Sequence, residues 1–178
     1  MEIHKYEKLW FGAALILIIA FIATITYGAV GAGISMIDDD GGTIDSDNVR
    51  DHPKFEEIGL QKASEDVDAD YEASIIARTF IFQGALTHDP LQVPENSEIK
   101  FYITSPDVIH GFQVMDTNVN TMVIPGQIAE LTVEFDEPRE HGIICNEFCG
   151  AGHEDMEGLL EVVPEDEWDD DEMLGGDD

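Results

Sequence analysis

The stretch Cys145-Asn146-Glu147-Phe148-Cys149-Gly150-Ala151-Gly152-His153-Glu154-Asp155-Met156 places two thiols, an imidazole and a thioether at the spacing C-x3-C-x3-H-x2-M. Soft sulfur ligands beside imidazole select copper among the biological metals, since thiolate stabilises the reduced ion, imidazole suits both oxidation states and Met is characteristic of a weak axial position. A copper electron-transfer site is the first reading. Two others stand beside it. The only two cysteines of the chain are also spaced for a small disulfide in an oxidising compartment. Zinc would accept Cys, Cys, His and one further His, although a zinc knuckle normally has C-x2-C and gives the Met no purpose.

Around this stretch, the chain alternates in the manner of short strands. Gly158 to Val163 follows it and Arg139 to Ile144 precedes it. Leu131, Val133 and Phe135 alternate with Thr132, Glu134 and Asp136, while Ile99, Phe101 and Ile103 alternate with Lys100, Tyr102 and Thr104. That is the period of a half-buried strand. Val119 to Ile124 and Ala73 to Phe82 complete the set, punctuated by Pro90, Pro94, Pro106, Pro125-Gly126 and Pro138. Strands at this spacing predict an all-β antiparallel sandwich or barrel over residues 71–163. A loop carrying Cys, His and Met between its last two strands needs a ligand from an earlier one. His110, after the strand ending near Thr104 and before Gly111, is the candidate.

Upstream, Asp38 to about Asp70 is polar and acidic, with Gly41-Gly42 and His52-Pro53, and reads as a linker with one short helix around Phe55 to Ala63. Residues 1–37 hold a different kind of segment. No charge occurs from Leu9 to Ile37, and the centre, Ala13 to Ala23, is apolar on all sides. About 20 such residues cross a bilayer as a helix. Lys5 and Lys8 at one end and Asp38-Asp39-Asp40 at the other predict a cytoplasmic N-terminus and an extracytoplasmic remainder. The small residues Gly28 to Gly33 raise the alternative of a cleaved signal peptide, but the apolar run exceeds the usual 7 to 15 residues. Residues 164–178, with Glu165-Asp166-Glu167 and Asp169-Asp170-Asp171-Glu172, read as a disordered acidic tail.

Eight Lys+Arg against 39 Asp+Glu give a formal charge of −31. That balance excludes nucleic acid, whose phosphates need Lys and Arg. Acidic residues spread along the whole soluble part indicate a surface adapted to very high salt, where the Debye length is about 3 Å at 1 M and long-range steering is screened.

Three segments in order, Ser105-Pro106-Asp107-Val108-Ile109-His110-Gly111-Phe112, Val123-Ile124-Pro125-Gly126-Gln127 and Ile143 to Met156, lie behind one membrane helix. In this the chain resembles subunit II of haem-copper terminal oxidases, most of all that of the b-type cytochrome c oxidase branch with its single N-terminal helix. The resemblance covers residues 73–163 well and the helix loosely. It implies a cupredoxin-like Greek-key domain holding the binuclear copper centre CuA. Carried over by position, Cys145 and Cys149 would bridge two coppers, His153 and the carbonyl of Glu147 would complete one, and His110 and Met156 the other. The Glu147 carboxylate would reach a magnesium ion at the junction with the catalytic subunit. The implied role is electron transfer from a cytochrome c or a small blue copper protein to haem in subunit I, with the chain an enzyme only as part of its complex. A CuA subunit of a nitric oxide reductase and a membrane-tethered copper carrier are the alternatives. The aromatic run that receives electrons in many such subunits is matched here only by Phe80 and Phe82, for which core or edge packing is an equal reading. His88 and His141 are expected at the surface.

Overall fold

A computed structural model of the chain describes residues 4–30, 37–38 and 41–174. The stretch Gly31 to Gly33 weighed as a cleavage site, the acids Asp39 and Asp40, and the last four residues lie outside the described residues. The chain divides into an N-terminal unit carrying one long helix and a second unit carrying the strands. Helix α1 spans Lys5–Val30, 26 residues, or about 39 Å at 1.5 Å per residue. Its apolar side chains are exposed throughout, from Leu9 and Trp10 to Ile25 and Tyr27. Its two threonine hydroxyls turn back on the helix, Thr24 Oγ1 donating to the Ala20 carbonyl and Thr26 Oγ1 to that of Ile22, each at 2.9 Å. A helix of this kind offers a hydrocarbon solvent no unsatisfied polar group.

The second unit is a two-sheet sandwich. The strands of one sheet are β1 Ile37–Asp38, β2 Gly59–Lys62, β3 Tyr71–Arg78, β4 Ile81–Gln83, β6 Glu98–Thr104 and β9 Ala129–Glu134. Those of the other are β5 Leu91–Pro94, β7 His110–Val114, β8 Asn120–Val123, β10 Glu140–Ile144 and β11 Glu157–Val163. The first sheet has the order β1-β9-β6-β3-β2, with β4 also on β3; the second has β5-β11-β10-β7-β8. Most neighbours are antiparallel, but β3 pairs with β6 and β5 with β11 in parallel. Those two crossovers make the topology a Greek key. Inward residues of both sheets form one core, in which Phe112 packs edge-on against Phe82 at 5.7 Å and tilted against Phe101 at 6.2 Å.

Register fixes which loops share an end. Tyr71 pairs with Ile99 and Ile76 with Thr104, and Ile144 pairs with Glu157. The segments after β3, β6 and β10 and before β7 and β11 therefore gather at one end of the sandwich, where His110 and the 145–156 loop are found. The opposite end holds the starts of β3 and β6 and the finish of β11.

Four expectations change. The span Ala73 to Phe82 is a tight hairpin and not one strand, because Phe80 adopts a left-handed φ of 74° between β3 and β4. The linker is part of the domain: 3-10 turns cover Ser46–Asp51 and Pro53–Phe55, β2 takes the place of the expected helix, and Ile44, Val49 and Phe55 are buried in a second core with Ile76, Tyr102 and Ile128. Lys54 and Lys100 both reach Glu130 beneath it. The acidic tail is folded as far as Leu174, with a short helix α2 at Asp170–Met173. Trp168 packs edge-on to Tyr71 at 5.8 Å, and its Nε1 donates to Asp170 at 2.8 Å. Lys62 and Tyr71 also donate to Asp170, at 2.8 and 2.6 Å. Finally, His141 is buried, its Nδ1 2.9 Å from the Met115 carbonyl, while His88 is exposed as expected.

Candidate metal centre

Two loops build the site. The β6–β7 loop ends in His110, the first residue of β7, whose ring is fully buried. The β10–β11 loop carries the other donors from Cys145 to Met156, and the 3-10 turn His153–Asp155 brings its end back to β11. Its two halves are tied together by the Cys145 amide, which donates to the Met156 carbonyl at 3.3 Å.

The residues named from the sequence fall in neighbouring pairs, and His110, Cys145 and Cys149 form one cluster. His110 Nδ1 is 3.9 Å from Cys145 Sγ, and Cys145 Sγ is 3.2 Å from the Glu147 carbonyl oxygen. Cys149 Sγ is 3.5 Å from His153 Nδ1 and 3.8 Å from Met156 Sδ. The donor atoms of His110, Cys145 and Cys149 lie within 4.8 Å of one another. Both cysteines are free thiols, so the disulfide reading fails despite their spacing. Met156 is 2% exposed and the cysteines 7% each, whereas Glu147 and Phe148 are exposed.

The electrostatics of the cluster follow from its burial. Burial, and next the neighbouring Cys145, push the Cys149 thiol up to about 11. Two adjacent sulfurs cannot ionise cheaply there without a cation between them. A soft cation reverses that penalty, and thiolate, imidazole, thioether and carbonyl in one pocket form a donor set of that kind. The thioether beside Cys149 argues against a closed zinc site, which takes Cys, His or carboxylate.

Several residues that shape the site carry no motif of their own. Gly111 is needed because a Cβ there would fall 1.7 Å from Asn146 Oδ1. Asn146 in turn donates to Gln113 at 3.2 Å and to Asn120 at 3.0 Å, fastening the Cys-bearing loop to β7 and β8. Asp107 Oδ1 lies 2.9 Å from His110 Nε2. Burial pushes the Asp107 carboxyl up, but hydrogen bonds from Thr79, His110 and Val108 outweigh it and hold the group well below the usual carboxylate range. The buried ligand-type histidine therefore faces a permanent anion on its far nitrogen, an arrangement typical of metal-binding imidazoles. The acid three residues before a candidate His was the available signal for this partner.

Comparison with known proteins shows the family. The family model described as cytochrome c oxidase subunit II, periplasmic domain, matches residues 60–163. The chain belongs to the cytochrome c oxidase subunit II family. A cytochrome c oxidase subunit 2 of Thermus thermophilus is 35% identical over 167 residues, covering 90% of this chain and 93% of the relative. A second subunit 2 sequence from the same species is 45% identical over 92 residues, 52% of this chain and 65% of the relative. A chain in the cryo-EM structure of a haem-copper terminal oxidase dimer superposes with a TM-score of 0.65 at 31% identity, over 89% of this chain and all of that one. The periplasmic domain of subunit II from Bradyrhizobium japonicum, with a TM-score of 0.50 at 22% identity over 57% of this chain and 89% of that one, shares the fold. The family's sandwich is cupredoxin-like, and as a subunit II the chain is part of an oxidoreductase complex.

Proposed function

We propose that the chain is the electron-relay subunit of a respiratory terminal oxidase, with a binuclear copper centre held by His110, Cys145, Cys149, His153, Met156 and the Glu147 carbonyl. The observation that supports this reading is the cluster of His110, Cys145 and Cys149 from two loops, with His153 and Met156 beside Cys149 and the Glu147 carbonyl beside Cys145. In the assignment offered here the two cysteines would hold both metals, with His153 and Glu147 serving one and His110 and Met156 the other. When bound, such a pair shares one added electron over both metals and both sulfurs, so that little rearrangement accompanies transfer. The protein's part is to keep the donors where they already are. Burial of His110 and Met156 excludes water, Asn146 pins the loop to two strands, and Asp107 fixes the ring of His110.

Helix α1 spans the membrane in this reading, with the lysines Lys5 and Lys8 at its cytoplasmic end and the sandwich outside. Electrons arrive from a small extracytoplasmic carrier, a cytochrome c or a blue copper protein, and leave to haem in subunit I. The exposed carboxylate of Glu147 is available to magnesium at that contact. Metal loading of the full-length chain in detergent tests the assignment. Two coppers per chain, retained against a chelator, are expected. A single, rapidly exchanged copper would make the chain a carrier instead, and preference for zinc would remove the redox role.

A further inference from the structure

The hairpin tip Thr79-Phe80 has properties that neither core packing nor chain reversal accounts for. Phe80 is a bulky residue in a left-handed conformation, φ 74°, where Gly or Asn is the ordinary choice. It is also 49% exposed, so its ring is not repaid by burial in the main core. Its sequence partner Phe82 is fully buried there. Strain of this kind persists only where the surroundings enforce it.

What surrounds the tip is the metal pocket. The Phe80 ring lies so close to Gly152 that a Cβ on that glycine would fall 2.5 Å from Phe80 Cε1 and 3.0 Å from Cδ1. Gly152 itself has φ 89° and caps the turn that presents His153. On the other side of the tip, Thr79 donates twice to Asp107 Oδ2, from its backbone N and from Oγ1, both at 2.8 Å. The other oxygen of that carboxylate faces His110 Nε2 at 2.9 Å and accepts the Val108 amide at 2.7 Å. One two-residue turn thus touches the supports of two histidines that come from separate loops.

We propose that Thr79 and Phe80 form a positioning clamp for the metal centre, Thr79 orienting His110 through Asp107 and Phe80 seating the His153 turn through Gly152. This rests on the copper assignment above. The clamp explains why a strained aromatic is kept at a hairpin tip: the ring fills the space that a glycine in the ligand loop leaves open. It also explains why Asp107 stays oriented at a partly exposed position, since two donors of Thr79 in the β3–β4 turn hold the oxygen that does not face the imidazole. Both residues act through others, Thr79 through Asp107 and Phe80 through Gly152.

The test uses the full-length chain in detergent, as wild type and as T79V, T79S, D107A, F80A and F80Y. In the copper-free form, nitrogen-15 spectra of the His110 ring are expected to show a slowly exchanging Nε2 proton. D107A should abolish that protection, T79V should weaken it at least tenfold and T79S, which keeps the hydroxyl, should preserve it. In the copper-loaded form, F80A should release copper to a chelator about tenfold faster and change the copper hyperfine pattern, and F80Y should restore both. Wild-type proton protection in T79V would overturn the Thr79 limb. A wild-type release rate and spectrum in F80A, with only the rate of electron uptake from an external donor altered, would overturn the Phe80 limb and leave the ring as a docking contact. Failure of the wild type to bind two coppers would instead defeat the copper assignment, and the copper-free His110 measurement would still decide the Thr79 limb.

Discussion

At one end of the sandwich, two thiols, two imidazoles and a thioether lie close to one another. At the other, Lys62, Tyr71, Trp168 and Asp170 close on one another until their polar groups are satisfied. The same scaffold serves both ends, but the free energy runs in opposite directions. Hydrogen bonds from Lys62, Tyr71 and Trp168 hold the Asp170 carboxyl down to about 2, so ionisation favours the folded clasp. Burial drives the Cys149 thiol up, so ionisation of that thiol opposes the fold. The clasp holds the protein together; the pocket is an unfavourable arrangement of donors that metal would turn favourable.

The largest effect that would break this contrast is removal of a thiol. C145S or C149S should reduce bound copper from two per chain to one or none, measured by metal analysis of the full-length protein; retention of two would show that the sulfurs do not hold the metals. Next comes G111A, whose Cβ would displace Asn146 from β7. Overpacking of this kind costs about 1–3 kcal/mol, to be read from chemical denaturation together with faster copper loss. At the far end, W168A should lower stability by about 1–2 kcal/mol, below the about 3–5 kcal/mol of a fully buried aromatic because Trp168 is only partly buried. Its copper count and spectrum should remain those of the wild type, which separates the two ends directly.

The pH response sharpens the same comparison with smaller effects. For Cys149 the folded value lies above its ordinary 9.0, so the folded state binds the proton more tightly. That stabilisation is fully present below about pH 9 and is lost as pH rises towards about 11. Melting of the copper-free chain across that window should show the loss, and copper loading should abolish it. Asp170 has the opposite sign: its contribution is present above 3.8 and disappears as pH falls to about 2. The pair is partly exposed, so this last effect should shrink in high salt.

What could be read from the residues divides along the same line. The ligand loop is legible because its donors lie within 12 consecutive positions, and the strands β6 and β9 because apolar and polar residues alternate along them, even where the second core also buries the other face at Tyr102. The tail was not, since its partners Lys62 and Tyr71 lie 97 to 108 positions away from Trp168 and Asp170, and local acidity looks the same whether solvated or paired. The packing of the segment before β2 is hidden for a related reason: Ile44, Val49 and Phe55 are too widely spaced to show a period, yet each fills the second core from an irregular segment. The hairpin at Thr79-Phe80 escaped notice because no Gly or Asn marks its left-handed residue. Its reason lies across space, at Gly152 and Asp107.

The most direct test of the account is the electron paramagnetic resonance spectrum of the full-length chain loaded with copper and poised at one oxidising equivalent per centre. One unpaired electron shared equally by two coppers is the predicted result, because both thiolates lie between the two imidazoles in one rigid loop pair. A spectrum confined to a single copper would contradict it and reduce the site to a mononuclear centre.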